Sequence, residues 1–450
     1  MVSLRVQKAL FAATSRLTDA FPVAGARALD AALRPTLGSR ALSRWYAWRT
    51  RAVMRRVRAP RRFLVLADIH IGDAVVTQPA LAAVRDFFPD AEIDYAVNRM
   101  IAPIIEGHPD ATRVLPVLSG AQFPSPDEVA MLRELVRAGR YDLCFTFSPF
   151  LEGPALAPPG LPVVSFLTHA PALLQGERDP AAINHFSYQQ YVFVRNALET
   201  AARPARPPHY PGTRTIYPDE VVEEAARFAA SVGLAADRPV IVVNPDGASR
   251  FTLLPFDDLA ALLRSLAEAA PGATILLGAG HSAKGIGQRL REAVPPPWRE
   301  RLTIIPPELP LVVFAALLDL ADVFLTGDTG PLHLAAARRY SRSGRHAFRN
   351  RTAILSWFGA TMPRMSGYDS ARPGYLAPSQ DAPAWCYQAG SRCRNVTCLN
   401  KYHKTCRTVR CFERVDVAAL ARLVTEYLRE PRRCRPAALP APDTGPRPAA

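Results

Sequence analysis

The chain has 450 residues, of which 49% are hydrophobic and 8% aromatic. This length and composition predict two globular domains and exclude a disordered or collagen-like protein. A multi-span membrane protein is also excluded, because no stretch approaches the roughly 20 consecutive apolar residues that cross a bilayer. The formal net charge is +15, and residues 1–62 contribute +12 of it. Charge concentrated at one end makes nucleic acid an unlikely partner and favours an anionic membrane surface.

Residues 1–61 are predicted to form a basic amphipathic helical extension. Two apolar stripes recur at helical spacing within it, and they consist of Val6, Leu10, Ala13 and Leu17, and of Ala41, Trp45, Trp48 and Ala52. Arginines flank the second stripe, which suits a helix in a membrane interface with its indole rings at headgroup depth. The alternative is a helix packed on the next domain with a solvated charged face. No signal-peptide pattern is present, so we expect a cytoplasmic protein, peripheral on the inner membrane.

Residues 62–212 are predicted to form a first Rossmann-like domain on the acceptor side, including a linker. The predicted strands are Phe63–Leu66, Glu92–Val97, Val114–Leu118 and Leu143–Phe147, and the predicted helices are Asp73–Phe88 and Asp127–Ala138. Strands that alternate with helices indicate a parallel sheet with crossover connections. The stretch Ala202–Gly212 is rich in Pro and Arg and is predicted to be the interdomain linker.

Residues 213–430 repeat the alternation and are predicted to form a second Rossmann-like domain. Its predicted strands are Pro239–Val243, Ala273–Leu277, Leu302–Ile305, Val323–Leu325 and Ala353–Trp357, and its predicted helices are Asp219–Ser231, Asp257–Ala269, Leu311–Leu320, Pro331–Ala337 and Asp416–Arg429. Residues 431–450 are rich in Pro, Ala and Arg and are predicted to be a disordered tail. The predicted fold class is therefore α/β, with two doubly wound parallel-sheet domains facing a central cleft.

A first candidate site follows the first predicted strand, where open α/β sheets place their ligands. The turn contains His70, Gly72 and Asp73, and Gly72 allows a close approach of the backbone. Asp73 stands at or near the start of a helix. It is therefore either a helix cap or a functional carboxylate, and the local pattern alone favours the cap.

A second candidate site follows the predicted strand Val323–Leu325. Gly327 and Gly330 flank Asp328 and Thr329, and Pro331 is well suited to open a helix. Glycines at such a turn leave backbone N–H groups accessible, which suits a diphosphate. The hydroxyl of Thr329 adds a donor, and His333 stands one turn into the helix.

Several motifs, taken in order, resemble the heptosyltransferase family of glycosyltransferases (glycosyltransferase family 9) over residues 62–430. The motifs are Ile71-Gly72-Asp73 with Val75 and Pro79-Ala80-Leu81, Asn244-Pro245-Asp246-Gly247-Ala248-Ser249-Arg250, Leu276-Leu277-Gly278, Gly327-Asp328-Thr329-Gly330-Pro331-Leu332-His333-Leu334-Ala335, Trp357-Phe358-Gly359-Ala360-Thr361 with Pro363, and Cys411-Phe412 with Val415. The run from Gly327 to Ala335 is the most specific of them.

The resemblance implies a GT-B fold and metal-independent transfer of a heptose from ADP-heptose, with inversion, to a lipopolysaccharide-core or related lipid-linked glycan. It implies that Asp73 is the general base, with His70 and Gly72 on the acceptor side. The donor-binding positions that it implies are Asn244, Ser249, Arg250, Gly278, Asp328, Thr329, Gly330, Pro331 and His333. No cofactor is required by this reaction.

The chain also departs from the family pattern. His70 replaces the usual Ser, and residues 251–255 replace a Lys-x-Trp-Pro element, so Arg250 is the substitute cation on the donor side. Residues 338–351 add six arginines without an acid, which either grip acceptor phosphates or form a solvated loop. Two other functions stay open. One is a GT-B transferase that uses another nucleotide sugar for capsule or protein glycosylation, and the other is an inactive scaffold that binds membrane or nucleic acid.

Five of the seven cysteines lie between residues 386 and 411. Their spacing lacks the close Cys-x2-Cys pairs of a typical zinc site. Four of them, Cys393, Cys398, Cys406 and Cys411, could hold a structural zinc or iron ion, and the alternative is a set of free structural thiols.

Overall fold

The computed structural model describes residues 48, 50–57, 59–67, 70–119, 125–148, 161–166, 183–234, 237–247, 250–278, 285–390 and 410–430. The predictions for residues 1–47 and for the tail at 431–450 lie outside the described residues. Within them the protein is α/β, as predicted, and every strand pair in its sheets is parallel.

The first sheet lies within residues 62–212. Its strands are β1 (Arg62–Leu66), β2 (Glu92–Asn98), β3 (Arg113–Leu118), β4 (Leu143–Thr146) and β5 (Val163–Ser165), in the order β3-β2-β1-β4-β5. The first four confirm the predicted strands, and β5 was not predicted. The chain builds outward from β1 to β3 and then returns to the other side of β1 with β4. The strand order therefore reverses between β1 and β4, where doubly wound sheets form a crevice.

The second sheet lies within residues 213–430. Its strands are β7 (Val240–Val243), β8 (Thr274–Gly278), β9 (Leu302–Ile305), β10 (Val323–Gly327), β12 (Ala353–Phe358) and β13 (Ala384–Gln388), in the order β13-β12-β10-β7-β8-β9. All but β13 were predicted. Here the order reverses between the neighbours β7 and β10. The turn with Gly327 and Gly330 follows β10 and therefore lies at the second crevice.

A separate two-stranded sheet pairs β6 (Arg214–Tyr217) with β11 (Arg338–Ser341). Neither strand was predicted, and the interpretation of residues 338–341 as part of a loop is wrong. Short strands rich in arginine lack the apolar run that marks a buried strand. Arg339, the second residue of β11, is only 1% exposed, so this short strand packs against the protein interior.

Helices cover both large sheets. They are α1 (Ile71–Val76), α2 (Gln78–Phe87), α3 (Pro126–Gly139), α4 (Phe186–Glu199), α5 (Asp219–Ser231), α6 (Phe256–Ala269), α7 (Ile286–Ala293), α8 (Pro296–Arg299), α9 (Leu311–Leu317), α10 (Gly330–Ala336), α11 (Pro363–Ser366) and α12 (Val417–Arg429). The prediction of one helix over Asp73–Phe88 is wrong. The chain starts a new helix after Thr77, and Pro79 lies in its first turn, where the N–H that proline lacks would have no partner within the helix.

The end of the predicted basic extension packs on the first domain. Residues 50–54 are helical, Thr50 and Met54 are buried, and Met54 joins the apolar core that contains Phe63. Trp48 is 61% exposed. Among the described residues, no helix has the length and apolar character needed to span a membrane.

Candidate active site

The start of α1 carries the acceptor-side residues. His70 is the N-cap, and Asp73 is the third residue of the helix. The Asp73 carboxylate accepts a hydrogen bond from the His70 backbone N–H at 3.2 Å, and the His70 imidazole Nδ1 lies 3.2 Å from the same oxygen. Asp73 therefore does close the start of the helix, as the capping interpretation expects. Its side chain is still 32% exposed, and that of His70 is 51% exposed, so both remain accessible to solvent.

The turn after β10 is held by a hydroxyl and amide network. Thr326 Oγ1 and Thr329 Oγ1 are 3.0 Å apart, and the Asn244 amide donates to Thr326 Oγ1 at 3.0 Å and to the Asp246 carbonyl at 3.0 Å. Asn244 follows β7, so this network ties the ends of the two strands at the switch point together. Thr329 is 9% exposed and makes no side-chain cap on α10. The predicted donor-binding residues Asn244 and Thr329 thus both hydrogen-bond to Thr326, and these bonds hold the turn in shape.

Glycines let this turn close on its surroundings. A Cβ on Gly247 would lie 2.7 Å from Thr329 Cγ2, and one on Gly327 would lie 2.0 Å from the Thr252 carbonyl oxygen. Gly278 ends β8 beside Asn244 and Pro245, with a Cβ position 3.2 Å from the Pro245 ring. A Cβ at Gly327 would clash with backbone, so glycine is required there, whereas a Cβ at Gly247 or Gly278 would require a neighbouring side chain to shift.

The two predicted sites meet. A Cβ added to Gly72 would lie 2.6 Å from His333 Cδ2 and 3.4 Å from the Gly330 Cα, and one added to Gly330 would lie 3.2 Å from Ile71 Cβ. The start of α1 in the first domain is therefore in van der Waals contact with the start of α10 in the second. Pro331, in the first turn of α10, is half-buried. This contact places Asp73 beside the glycine turn, although the two are distant in sequence.

His333 lies inside this contact. It is 8% exposed, its Nδ1 is 3.1 Å from the Tyr368 hydroxyl, and its ring centroid is 6.0 Å from that of His185. His185 in turn packs on Tyr368 with centroids 4.6 Å apart and accepts a hydrogen bond from the Ser187 N–H at its own Nδ1. Sequence reasoning missed His185 and Tyr368, because nothing in their local sequence links them to the motif at His333.

Burial keeps both imidazoles neutral. Desolvation lowers the pKa of His185 to about 3, with a further lowering from His333. Desolvation also lowers the pKa of His333, against the opposing charges of Asp328 and Asp73. The two carboxylates therefore flank His333 closely enough to act on its pKa, and the site holds a neutral imidazole between two acids.

Some predicted residues fall partly or wholly outside the described residues. Ser249 lies wholly outside them. The side chain of Arg250 also lies outside them, while its backbone begins a 3-10 turn over Arg250–Thr252. In that turn Phe251 is fully buried, and the Thr252 carbonyl accepts the Trp357 indole N–H at 3.1 Å. The stretch that replaces the Lys-x-Trp-Pro element thus packs in the core of the second domain.

Five of the six arginines in residues 338–351 pair with acidic residues in the structure. The pairs are Arg338 with Asp381 (2.8 Å), Arg339 with Asp319 (3.6 Å), Arg342 with Glu106 (3.3 Å), Arg345 with Asp219, and Arg349 with Asp322 (2.9 Å). Acids from elsewhere in the chain therefore neutralise a segment that looks uniformly basic in sequence. These ion pairs make the binding of acceptor phosphates by this segment a weaker interpretation.

The cysteines are only partly described. Cys393, Cys398 and Cys406 lie outside the described residues, and Cys411 is buried with its Cβ 2.9 Å from the Cβ position of Gly359. Cys144 and Cys386 are buried thiols, and burial raises the pKa of each to about 12. Within the described part of the chain, no group of three or more His, Cys, Asp or Glu side chains could hold a metal ion.

Two doubly wound parallel sheets that meet at their switch-point turns define the GT-B fold. The family model for Glycosyltransferase family 9 (heptosyltransferase) matches residues 209–340. This match identifies residues 209–340 as a domain of glycosyltransferase family 9, which indicates a glycosyltransferase enzyme.

Two solved structures show the same fold. The glycosyl transferase family 9 protein from Veillonella parvula DSM 2008 is 17% identical with a TM-score of 0.54, and the match covers 78% of this chain and 97% of that one. The E. coli ADP-heptose lps heptosyltransferase II is also 17% identical with a TM-score of 0.50, and the match covers 81% of this chain and 99% of that one. No curated protein sequence matches this chain.

Proposed function

We propose that this chain transfers a heptose from ADP-heptose, with inversion, to a lipopolysaccharide-core or related lipid-linked glycan. The observation that carries the proposal is the contact of Gly72 with Gly330 and His333, which sets the Asp73 carboxylate against the glycine turn at the second switch point. The E. coli protein with the same fold is an ADP-heptose heptosyltransferase, which supports this choice of donor over other nucleotide sugars.

In the proposed reaction the acceptor hydroxyl oxygen attacks the anomeric carbon of the heptose. The bond from that carbon to the diphosphate oxygen breaks, and its electron pair leaves with ADP. We assign the hydroxyl proton to Asp73, because its side chain is a solvent-accessible carboxylate at the start of α1, on the acceptor side of the contact between the domains. Backbone N–H groups of the turn from Gly327 to Gly330 stabilise the charge that develops on the diphosphate. The residues of the chain thus supply both parts of the chemistry.

The test is a donor screen with purified full-length protein and an acceptor glycan that lacks heptose. We expect ADP release and a product heavier by one heptose with ADP-heptose, and no product with UDP- or GDP-sugars. Turnover with a UDP- or GDP-sugar alone would replace the proposal with the capsule or protein glycosylation function. ADP-heptose binding with no turnover on any acceptor would contradict the proposed activity.

We also propose that the basic extension holds the enzyme on the cytoplasmic face of the inner membrane. The exposed Trp48 and the excess of arginine in residues 1–61 support this placement. Deletion of residues 1–47 retains Met54, which packs in the core, so we expect the shortened chain to fold. Because the deletion removes part of the basic extension, we expect weaker binding to anionic liposomes while turnover on a detergent-solubilised acceptor persists. Liposome binding equal to that of the full chain would contradict the proposal.

A further inference from the structure

The side chain of His333 extends from the second domain and is buried between the two domains. The edge of its ring formed by Cδ2 and Nε2 faces Gly72, since a Cβ there would lie 2.6 Å from Cδ2 and 3.4 Å from Nε2. The opposite nitrogen, Nδ1, faces the Tyr368 hydroxyl at 3.1 Å. The two ring nitrogens therefore have different surroundings: Nδ1 meets a phenol in the core, and Nε2 meets the start of α1.

The Tyr368 hydroxyl donates to His333 Nδ1, because this nitrogen is the only acceptor that the described residues offer to its proton. Tyr368 is 1% exposed, and burial raises its pKa well above the ordinary value, so the hydroxyl keeps its proton. Its position is fixed from the other side, because its backbone carbonyl accepts the Cys386 thiol at 3.1 Å. A neutral imidazole that accepts a hydrogen bond at Nδ1 must carry its own proton on Nε2.

His185 closes the third side of the His333 ring. Its Nδ1 accepts the Ser187 N–H at 3.1 Å, and its ring packs on Tyr368 at 4.6 Å and edge-on to His333 at 6.0 Å. The charged groups that act on His333 are Asp73 from α1 and Asp328 from the turn after β10. Both raise the pKa of His333, and desolvation, which lowers it, is the larger effect.

We infer that Tyr368 is a positioning residue that fixes His333 in the Nε2–H tautomer, so that His333 presents a hydrogen-bond donor to the substrate oxygens at the contact between Gly72 and Gly330. His185 packs against this pair and excludes water from it. The tautomer follows from the structure alone, and its catalytic consequence rests on the proposed function. A donor directed at this point stabilises an oxygen that gains charge in the transition state.

The test compares wild type with Tyr368→Phe, which removes one hydroxyl. Nitrogen-15 NMR of the imidazoles, with His333 assigned from a His333→Asn variant, should show a single Nε2–H tautomer in wild type and a mixture in Tyr368→Phe. We expect kcat for transfer to fall by about 2- to 10-fold, the worth of one hydrogen bond, with KM for the donor changed less than about twofold. Tyr141→Phe removes a buried hydroxyl bonded to Asp94 far from this site and should change neither readout.

The NMR measurement on wild type needs no substrate, so it separates this inference from the proposed function. An Nδ1–H tautomer in wild type would overturn the inference even if Tyr368→Phe failed to fold. An unchanged tautomer together with unchanged kcat in Tyr368→Phe would overturn it as well.

Discussion

At the scale of single residues, the site depends on places where a side chain is absent. Gly72 and Gly330 let two helix starts touch, and the Cβ position of Gly72 overlaps the His333 ring at 2.6 Å. The family motif includes both glycines, so the sequence identified the residues. It could not show that the two glycines face each other, because that contact joins segments far apart in the chain.

Gly72→Ala is expected to lower turnover by about 10²-fold, because the new methyl group displaces His333 or separates the domains. Gly330→Ala should cost less, since its nearest contact would be 3.2 Å from Ile71 Cβ. The matched control is Gly272→Ala, where a Cβ would meet nothing within 4 Å. Steady-state kinetics of the three variants, with thermal melting to verify folding, should give this order. Equal activity of Gly72→Ala and Gly272→Ala would show that the contact has no role.

At the scale of elements, the large sheets could be predicted from sequence and the small sheet could not. Apolar runs such as Val240–Val243 mark buried parallel strands, and the glycine turn after β10 marks a switch-point ligand site. The strand β11 is instead held by a buried pair between Arg339 and Asp319 and by the ladder with β6. Such pairings depend on distant acids, and local periodicity carries no information about them.

The first residue of α2 is expected to hold β6 in place. Gln78 is 1% exposed, its Nε2 donates to the Arg214 carbonyl at 2.8 Å, and its Oε1 accepts the Arg214 N–H at 2.8 Å. Gln78→Ala leaves both backbone groups unpaired and should lower the free energy of unfolding by about 2 to 4 kcal/mol. Gln288→Ala, on an exposed face of α7, should change it by less than about 0.5 kcal/mol. Urea denaturation measures both, and equal effects would contradict the role of Gln78.

At the scale of the whole molecule, the domains meet through a few contacts that sequence alone does not reveal. Besides the contact of α1 with α10, Arg342 donates to the Pro103 carbonyl at 2.6 Å and pairs with Glu106. His108 is buried in the first domain near Arg214, and desolvation followed by that positive charge lowers its pKa to about 3. Protonation of this histidine therefore opposes the folded state.

The free energy of unfolding should fall as the pH drops below 6.5. In this range His108 binds a proton in the unfolded chain but not in the folded chain. The expected loss at pH 5 relative to pH 8 is about 2 kcal/mol for this residue. His108→Gln should remove that part of the pH dependence in urea denaturation at the two pH values. His209→Gln, at an exposed linker position, should leave it unchanged. A pH dependence in His108→Gln as large as that of the wild type would contradict the assignment.

The most direct test of the central claim is the turnover of Asp73→Asn with ADP-heptose and an acceptor glycan, measured alongside donor affinity. If Asp73 takes the acceptor proton beside a donor held at the turn from Gly327 to Gly330, kcat should fall by about 10² to 10⁴-fold while the Kd for ADP-heptose stays within about twofold. Asp90→Asn, which changes an exposed residue in the turn before β2, should retain full activity. Turnover of Asp73→Asn within about twofold of wild type would contradict the account.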